Sequence, residues 1–444
     1  MKLNDKFMAL KIKPKETTAI INSLSAGVVP KTGVQHITVG RQLEIEAFTK
    51  ALDDVKNGHS IVKFWIGDFG SGKSFMLHLL NTVATKQKFV VANADFTPDN
   101  RLYSNDGKAV ILYSAIMDNI AIQTKPEGGA LPTLLDKWIE QVVSKTASEK
   151  NIPLTEIRNE AYLNLIQANI MKTVNDVTET GGFDFGVVVI KYYEGYIKND
   201  EFLRRSALKW LKGEYTTKTE ARHDLGVREI INDINYYDML KNFSRLFVSI
   251  GYSGFMINLD EAINLYKISR ASTRAKNYEK ILTIVNDCFQ GRVSNLFVNF
   301  AGTKDFLENE RRGLFSYDAI KTRLESNKYE SSQFRDLSQP VIKLVPLNHA
   351  EIFVLLNKLK NIFNTNYQIE IQINDSDIKS FMEEVFNKQG ADEFLTPREV
   401  IRDFLNILSI LRQNPDADKN SLISNIEISD ERPNVLLIDE IEEL

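Results

Sequence analysis

The chain has 444 residues, and its 55 lysines and arginines face 59 aspartates and glutamates, which gives a formal net charge of −4. This balance argues against a general nucleic-acid binder, in which a basic domain is expected. The single cysteine, Cys288, excludes an internal disulfide bond. No window approaches the ~18 apolar residues of a membrane span. We therefore expect a cytoplasmic globular protein of two or three domains.

The first part of the chain leads into a predicted α/β fold. Residues 1–34 form a basic leader with a short amphipathic helix around residues 17–24, and the chain starts without the continuous apolar core of a signal peptide. Residues 35–130 then predict the first helices and strands of a nucleotide-binding sheet, including a strand at 89–92.

Residues 61–75, IVKFWIGDFGSGKSF, carry the strongest functional signal. An apolar run predicts a buried strand, a glycine-rich turn follows, and a helical pattern starts at Lys73. This is the phosphate-binding loop G-x-x-x-x-G-K-S in its strand–loop–helix context. We expect a nucleoside triphosphate here, with Lys73 on its β- and γ-phosphates and the Ser74 hydroxyl on Mg²⁺. The loop residues predicted to contact it are Gly67, Gly70, Ser71, Gly72, Lys73 and Ser74.

A second short apolar strand, residues 254–259, runs into Asp260 and Glu261. A carboxylate at the end of such a strand can hold Mg²⁺ through water, and this role suits Asp260. Glu261 is then placed to orient and polarise an attacking water molecule. Together with the phosphate-binding loop, the acidic pair predicts hydrolysis rather than binding alone.

A third apolar strand, residues 296–301, is followed by Thr303. A polar group at this strand end could sense the γ-phosphate, with Thr303 the first candidate and Asn299 the second. A small polar residue that merely opens a loop explains Thr303 equally well.

Arginines after the third strand are candidates for stabilising transition-state charge from a neighbouring subunit. Arg323 is the first choice, and the sequence leaves open whether Arg311 or Arg312 takes this role instead. Farther along, Thr396 predicts an N-cap and Pro397 the first helical residue, so Arg398 falls in the first turn. A cation there opposes the helix dipole, which suggests an anionic partner such as a nucleotide phosphate.

The stretch between Lys73 and Asp260 is much longer than the ~30 residues of a βαβ unit. We predict a mainly helical insertion at about residues 131–240. Within it, residues 191–228 interleave basic and aromatic side chains, which suits nucleic acid or a partner. The acidic residues in the same stretch favour a solvated helix face with aromatics in the core.

The C-terminal part predicts a lid of three helices, residues 345–412, and a tail, residues 413–444. The end of the tail, residues 435–444, is apolar and then acidic. It could add a strand to a partner's sheet or pack back on its own domain.

Together these elements resemble an AAA+ ATPase. Residues 37–44, ITVGRQLE, resemble the box that opens the nucleotide fold in the Orc/Cdc6-like branch, which implies that Val39, Gly40 and Arg41 lie near the adenine. The chain is most similar to the BREX-system ATP-binding protein family of bacterial phage defence. This similarity spans roughly residues 17–412 and is carried by residues 33–37, 67–75 (which add Phe75 to the nucleotide contacts), 94–102, 126–131, 300–303 and 312–314.

The resemblance implies an α/β fold with a P-loop AAA+ parallel sheet flanked by helices, a large helical insertion and a C-terminal helical lid. Its implied domains are residues 1–34, 35–344, 345–412 and 413–444. ATP and Mg²⁺ would be held by Lys73, Ser74 and Asp260, with Glu261 orienting water. Thr303, Arg323 and Arg398 would be sensor, arginine finger and second sensor.

The resemblance also implies a homo-oligomer with defence-system partners. Related ATPases occur beside a TerB-like protein and a helicase in the Shango type of system. Orc/Cdc6-like proteins usually append a winged-helix DNA-binding domain, but fewer than the roughly fifty residues of a small domain follow the lid here. We therefore expect no full winged helix, although DNA could still be held by a ring or a local patch.

Three functions fit the sequence. The first is an ATP-hydrolysing motor or switch in phage defence that acts on DNA or on a helicase or nuclease partner. The second is a slow, nucleotide-gated scaffold or loader with little turnover of its own. The third, a small-molecule kinase, also uses a P-loop, but it has no need for the lid arginine or the large insertion.

Overall fold

The computed structural model of the protein describes residues 12–424 apart from residues 105, 179–180, 328, 331–333 and 388–395. The described chain divides into two compact units: Arg41–Pro346, which we call the sheet unit, and the described parts of Met1–Gly40 with Leu347–Leu444, which we call the helical unit. The predicted leader and tail lie partly outside the described residues, and the apolar-acidic end at 435–444 lies wholly outside them.

The helical unit brings the two ends of the described chain together. Its helix α1 packs on two long helices from the C-terminal part, and the apolar positions of all three are buried. The predicted amphipathic helix and the three lid helices are therefore present in one unit. Its N-terminal helix is α1 (Pro14–Ser25). Its described C-terminal helices are α15 (His349–Tyr367), α16 (Asp375–Phe386), α17 (Pro397–Gln413) and α18 (Lys419–Ser424).

The sheet unit contains a five-stranded parallel sheet with helices on both faces, so the predicted α/β P-loop fold is confirmed. The spatial order of the strands is β2-β3-β4-β1-β5. The strands are β1 (Ile61–Ile66), β2 (Phe89–Asp95), β3 (Gly254–Asp260), β4 (Leu296–Gly302) and β5 (Val341–Lys343). Because all run in one direction, their carboxyl ends meet at one edge, where ligands bind in open sheets of this kind.

The helices of the sheet unit fall into three groups along the chain. Those before the insertion are α2 (Gln42–Lys56), α3 (Lys73–Lys86) and α4 (Lys108–Asp118). The insertion supplies α5 (Leu131–Lys150), α6 (Leu163–Val177), α7 (Gly182–Ile197), α8 (Glu201–Leu211), α9 (Lys218–Leu225) and α10 (Tyr236–Ser249). After β3 come α11 (Ile263–Tyr266), α12 (Ala271–Phe289), α13 (Lys304–Glu308) and α14 (Asp318–Leu324).

The predicted helical insertion shares its core with the sheet. Side chains on one sheet face, such as Phe64 and Ile257, belong to the same buried cluster as Trp138 of α5 and Phe243 of α10. The insertion is therefore packed onto the nucleotide fold rather than built as a separate domain.

The basic and aromatic side chains of residues 191–228 have the arrangement of a solvated helix face. Tyr192 and Trp210 are buried in the core. Most of the basic side chains lie in ion pairs with carboxylates of the same region, as in Lys191 and Lys198 with Glu194, Arg204 and Arg205 with Glu201, Lys209 with Glu220, and Lys218 with Glu229. Much of the basic charge is thus neutralised locally.

Among the described residues, no helix is long and apolar enough to cross a membrane.

Candidate functional site

The glycine-rich loop between β1 and α3 has the backbone that a phosphate-binding loop requires. Gly70 and Gly72 adopt positive φ angles of 78° and 89°, a region open to glycine at no steric cost. Gly72 directly precedes α3, whose 14 residues begin at Lys73 with no side-chain cap on the first turn. The free N–H groups of that turn and the helix dipole therefore favour an anion at the mouth of the loop.

Gly67 and Ser71 show that the loop is closely folded on itself. A Cβ atom at Gly67 would overlap the Ser71 Oγ and lie 3.2 Å from the Leu344 carbonyl oxygen, so only glycine fits. The Ser71 Oγ is buried and has no hydrogen-bond partner in the described chain. A glycine-lined cradle with an unsatisfied hydroxyl suits a bound phosphate group. Phe75, on the first turn of α3, is half-buried beside it.

The Lys73 ammonium lies on the loop itself. Its Nζ donates hydrogen bonds of 2.9 Å to the carbonyl oxygens of Gly67 and of Asp68. Burial lowers the pKa of Lys73, and the carboxylates of Asp260, Glu261 and Asp68 act in the opposite direction. Lys73 thus interacts electrostatically with the two carboxylates at the end of β3. From this loop its ammonium could reach a bound phosphate.

Ser74 and Asp260 are in direct contact. The Ser74 Oγ donates a 2.6 Å hydrogen bond to the Asp260 Oδ2, which joins the start of α3 to the end of β3. A hydroxyl and a carboxylate at this spacing are the protein ligands that Mg²⁺ takes beside nucleotide phosphates. Among the described residues, no three His, Cys, Asp or Glu side chains gather as a metal site. The Ser74 hydroxyl and the Asp260 carboxylate would suit a Mg²⁺ ion beside a nucleotide phosphate.

Glu261 is held in a strained backbone conformation directly after β3. Its φ angle is 56°, and its N–H donates a 2.8 Å hydrogen bond to the Asp260 Oδ1. A non-glycine residue with positive φ is uncommon, and such strain collects at functional sites. Partial burial raises the pKa of Glu261, and the nearby Asp260 and Asp95 carboxylates raise it further. A carboxylate with a raised pKa is a better proton acceptor for water.

Asp95 is a site residue that the sequence analysis missed. It ends β2 and pairs in register with Asp260 of the neighbouring strand β3. After burial and Asp260, the Asp95 carboxylate also raises the pKa of Glu261. The signal was available, because Asp95 ends an apolar strand in the same way as Asp260 does.

A chain of buried amides crosses the sheet beneath the site. The Trp65 Nε1 donates a 2.9 Å hydrogen bond to the Asn299 Oδ1. The Asn299 Nδ2 in turn donates a 2.7 Å hydrogen bond to the Asn258 Oδ1, and the Asn258 Nδ2 donates a 2.9 Å hydrogen bond to the Asn93 Oδ1. Asn81 of α3 closes the chain through bonds to Asn258 and Asn93. The chain ties four strands and the P-loop helix together, and we call these residues the amide chain.

The two sensor candidates differ in what they already bind. Asn299 is fully buried, and both ends of its amide are used within the amide chain. Thr303 directly follows β4, and its Oγ1 accepts a hydrogen bond from the Phe306 N–H as the N-cap of α13. The Thr303 hydroxyl proton is left to donate, so the geometry favours Thr303 as the sensor.

Arg41 braces the P-loop from outside it. Its Nη2 donates to the carbonyl oxygens of Ser71 at 3.2 Å and Val345 at 2.8 Å. The same guanidinium lies 3.9 Å from the Glu44 carboxylate, which is almost fully buried and is also bound by Arg335 at 2.9 Å. Arg41 thus fixes the position of the loop backbone rather than pointing freely at a ligand.

The three finger candidates lie in different settings. Arg311 and Arg323 are both exposed. The Arg323 Nε donates a 2.7 Å hydrogen bond to the Asn286 Oδ1, and its Nη1 donates one to the Ala319 carbonyl oxygen. Arg312 is partly buried and stacks on the ring of Tyr266. Arg311 and Arg323 are therefore accessible to a neighbouring molecule, and Arg312 serves its own fold.

Val39, Gly40 and Arg398 belong to the helical unit. Gly40 has a φ angle of 64°, and a Cβ there would overlap the carboxylate of Glu351 at the start of α15. Arg398 lies on the first turn of α17, where Thr396 caps the helix as predicted, and its side chain passes close to Gly27. The predicted contact of these three residues with the nucleotide stays a prediction.

Comparison with known proteins identifies the family of the chain. No curated protein matches the chain. A family model described as BREX system ATP-binding protein BrxC/D matches residues 12–427, which is nearly the whole chain. The resemblance to the BREX-system ATP-binding protein family is thereby confirmed. The chain belongs to the family of BREX system ATP-binding proteins BrxC/D.

Proposed function

We propose that the protein is an AAA+ ATPase that hydrolyses Mg²⁺–ATP and couples turnover to DNA or a partner protein in bacterial phage defence. The contact between Ser74 and Asp260 carries this proposal, because it brings the two predicted Mg²⁺ ligands within hydrogen-bond distance. Family membership supports ATP binding and the role in defence.

Each group at the site has a distinct part in hydrolysis. The loop N–H groups and the Lys73 ammonium bind and neutralise the phosphates. Ser74 and Asp260 would hold Mg²⁺, which would neutralise charge on the phosphate oxygens. The Glu261 carboxylate accepts a hydrogen bond from the attacking water and orients it, and the Thr303 hydroxyl donates to the γ-phosphate.

We further propose that subunits assemble so that Arg323 of one copy, or Arg311, meets the phosphates bound by the next. Arg323 is exposed and lies on α14, away from the P-loop in sequence. An arginine supplied in trans can raise the rate by roughly 10³–10⁵. The partner would be a helicase, a TerB-like protein or another effector in the cytoplasm, and hydrolysis stimulated by it or by DNA would separate a motor from a slow scaffold.

The Ser74–Asp260 pair supplies the direct test. Asp260→Asn should leave ATP binding without Mg²⁺ close to that of the wild type, because the P-loop is unchanged, but abolish the gain in affinity on adding Mg²⁺. Binding is measured by calorimetry with and without Mg²⁺, and Asp68→Asn is the matched control at an exposed carboxylate of the same loop. Equal Mg²⁺ dependence in wild type and Asp260→Asn would contradict the proposal.

A further inference from the structure

A second cationic cavity lies in the sheet unit, outside the P-loop. It has a volume of about 420 Å³ and is formed by the segment after β2 and by the segment between α11 and α12. Its lining residues are Pro98, Arg101, Asn264, Lys267, Ile268, Ser269, Arg270 and Thr273. None of them belongs to the P-loop or to the Ser74–Asp260 pair. We call this cavity the basic pocket.

Three cations and no carboxylate line the basic pocket. Arg101, Lys267 and Arg270 converge on it from two separate segments. The Arg101 Nε is buried and has no hydrogen-bond partner in the described chain, so an NH donor is left unsatisfied there. A buried donor without a partner is costly, and a bound anion would satisfy it.

The start of helix α12 adds donors of the same kind. Arg270 is the N-cap of this 19-residue helix, and no side chain caps its first turn. The first turn also contains no acidic residue. Ser269, Arg270 and Thr273 line the pocket, so the uncapped turn faces it. Uncapped N–H groups and the helix dipole favour a negatively charged ligand.

Two further arginines, Arg274 and Arg312, bind backbone carbonyl groups of the segment between α11 and α12. The Arg274 Nη1 donates a 2.6 Å hydrogen bond to the Ile268 carbonyl oxygen. The Arg312 Nη2 lies 3.5 Å from the carbonyl oxygens of Tyr266 and Ile268. Burial lowers the pKa of Arg274, and the neighbouring charge of Arg312 lowers it further. The carbonyl oxygens of Tyr266 and Ile268 are thus bound by arginine side chains.

Acidic groups lie near the basic pocket but are engaged elsewhere. Asp99, next to Pro98, forms an ion pair with Lys108 at 3.4 Å. Glu261 interacts electrostatically with Lys267. It follows β3 directly, and its N–H donates a hydrogen bond to Asp260. Among the described residues, neither Lys267 nor Arg270 takes part in an ion pair within 4 Å.

We propose that the basic pocket binds a phosphate group at a site distinct from the P-loop. Arg101, Lys267 and Arg270 supply charge, and the first turn of α12 supplies N–H donors. Such contacts hold the backbone of a nucleic-acid strand and also bind free polyphosphates. With a net charge of −4, the protein would hold a strand at this local patch rather than over its whole surface.

The test uses the full chain with Lys73→Ala, so that the P-loop does not compete for phosphate. Two probes are titrated: a short labelled single-stranded oligonucleotide by fluorescence anisotropy, and inorganic pyrophosphate by calorimetry. The pocket variants are Lys267→Glu and Arg270→Glu. Lys280→Glu, on α12 and outside the pocket lining, is the matched control with the same charge change. Circular dichroism checks folding, and Lys267→Gln serves if a charge reversal unfolds the chain.

We expect both pocket variants to weaken binding of at least one probe by about tenfold or more, and Lys280→Glu to leave it within about twofold. For the oligonucleotide, the salt slope should also fall by about 0.7 for each phosphate that the variant no longer neutralises. An effect on the oligonucleotide alone identifies a strand as the source, and an effect on pyrophosphate identifies free polyphosphate. Pocket variants that bind both probes like the control would overturn the proposal. The result does not depend on ATP hydrolysis.

Discussion

The Ser74 hydroxyl and the Asp260 carboxylate lie 2.6 Å apart although 186 positions separate them in the chain. The parallel sheet accounts for this contact, because β1 and β3 both flank β4 and end at the same edge. The insertion between the two residues shares one buried cluster with side chains of the sheet. The contact therefore assembles a metal-binding pair from two distant segments.

The amide chain should stabilise the fold as well as position the site. Asn258→Leu leaves the Asn299 Nδ2 and the Asn81 Oδ1 without their partner in a buried setting. We expect the free energy of unfolding to fall by about 1–3 kcal/mol. Urea denaturation followed by circular dichroism measures it.

The matched control for the amide chain is Asn175→Leu, an exposed asparagine in α6. We expect it to change the free energy of unfolding by less than about 0.5 kcal/mol. If Asn258→Leu were as stable as this control, the amide chain would carry no net stabilisation.

Arg41 should act through the position of the P-loop. Arg41→Lys shortens the side chain, so it removes the Nη2 contacts to the Ser71 and Val345 carbonyl oxygens and the Nη1 contact to Glu44. We expect weaker ATP binding, because Ser71 is then less fixed, and a lower free energy of unfolding, because buried Glu44 keeps only Arg335. Arg222→Lys is the same change at an exposed arginine of α9 and should alter neither quantity. An unchanged ATP affinity in Arg41→Lys would count against the bracing role.

The pH dependence of kcat/KM should report the two perturbed groups at the site. Glu261 must be ionised to accept a proton, and its pKa is raised, so activity should rise with pH later than for an ordinary glutamate. Asp95→Asn removes one of the charges that raise this pKa and should move the acidic limb to lower pH.

Lys73 governs the alkaline limb of the same profile. Its pKa is lowered by burial and held up in part by Asp68, so Asp68→Asn should move the alkaline limb to lower pH and leave the acidic limb in place. The two variants serve as controls for each other. If both shifted the same limb, the assignment of the limbs to Glu261 and Lys73 would be wrong.

An arginine acting between subunits can be detected by mixing variants. Arg323→Ala and Glu261→Gln should each be nearly inactive alone, with a loss of roughly 10³ or more expected for the arginine. Mixed subunits pair an intact Glu261 with an intact Arg323 of the neighbour, so activity should return. A mixture that stays inactive, while Arg311→Ala mixed with Glu261→Gln recovers, would assign the role to Arg311.

Local patterns predicted most of the sheet and the main site residues. The strands before the P-loop and before Asp260 are continuous apolar runs, because strands buried on both faces contain few polar residues. β5 was not predicted, since three residues are too few for a pattern. The bracing role of Arg41 was also missed, because it depends on the Val345 carbonyl oxygen, which lies far along the chain.

The amide chain shows why tertiary register limits prediction. Asn93, Asn258 and Asn299 each stand out as polar residues in apolar strands, but only the pairing of β2 with β3 and of β3 with β4 aligns them. Its position in the third apolar strand makes Asn299 a second sensor candidate from the sequence. Its hydrogen bonds to Trp65 and Asn258 show a structural role that no local pattern contains.

ATP hydrolysis and ATP binding measured together in Glu261→Gln and Lys73→Ala test the central claim most directly. We predict that Glu261→Gln binds ATP as the wild type does but turns it over about 10²–10⁴-fold more slowly, since it cannot accept a proton from water. Lys73→Ala should lose binding and turnover together. Undiminished hydrolysis by Glu261→Gln would contradict the account.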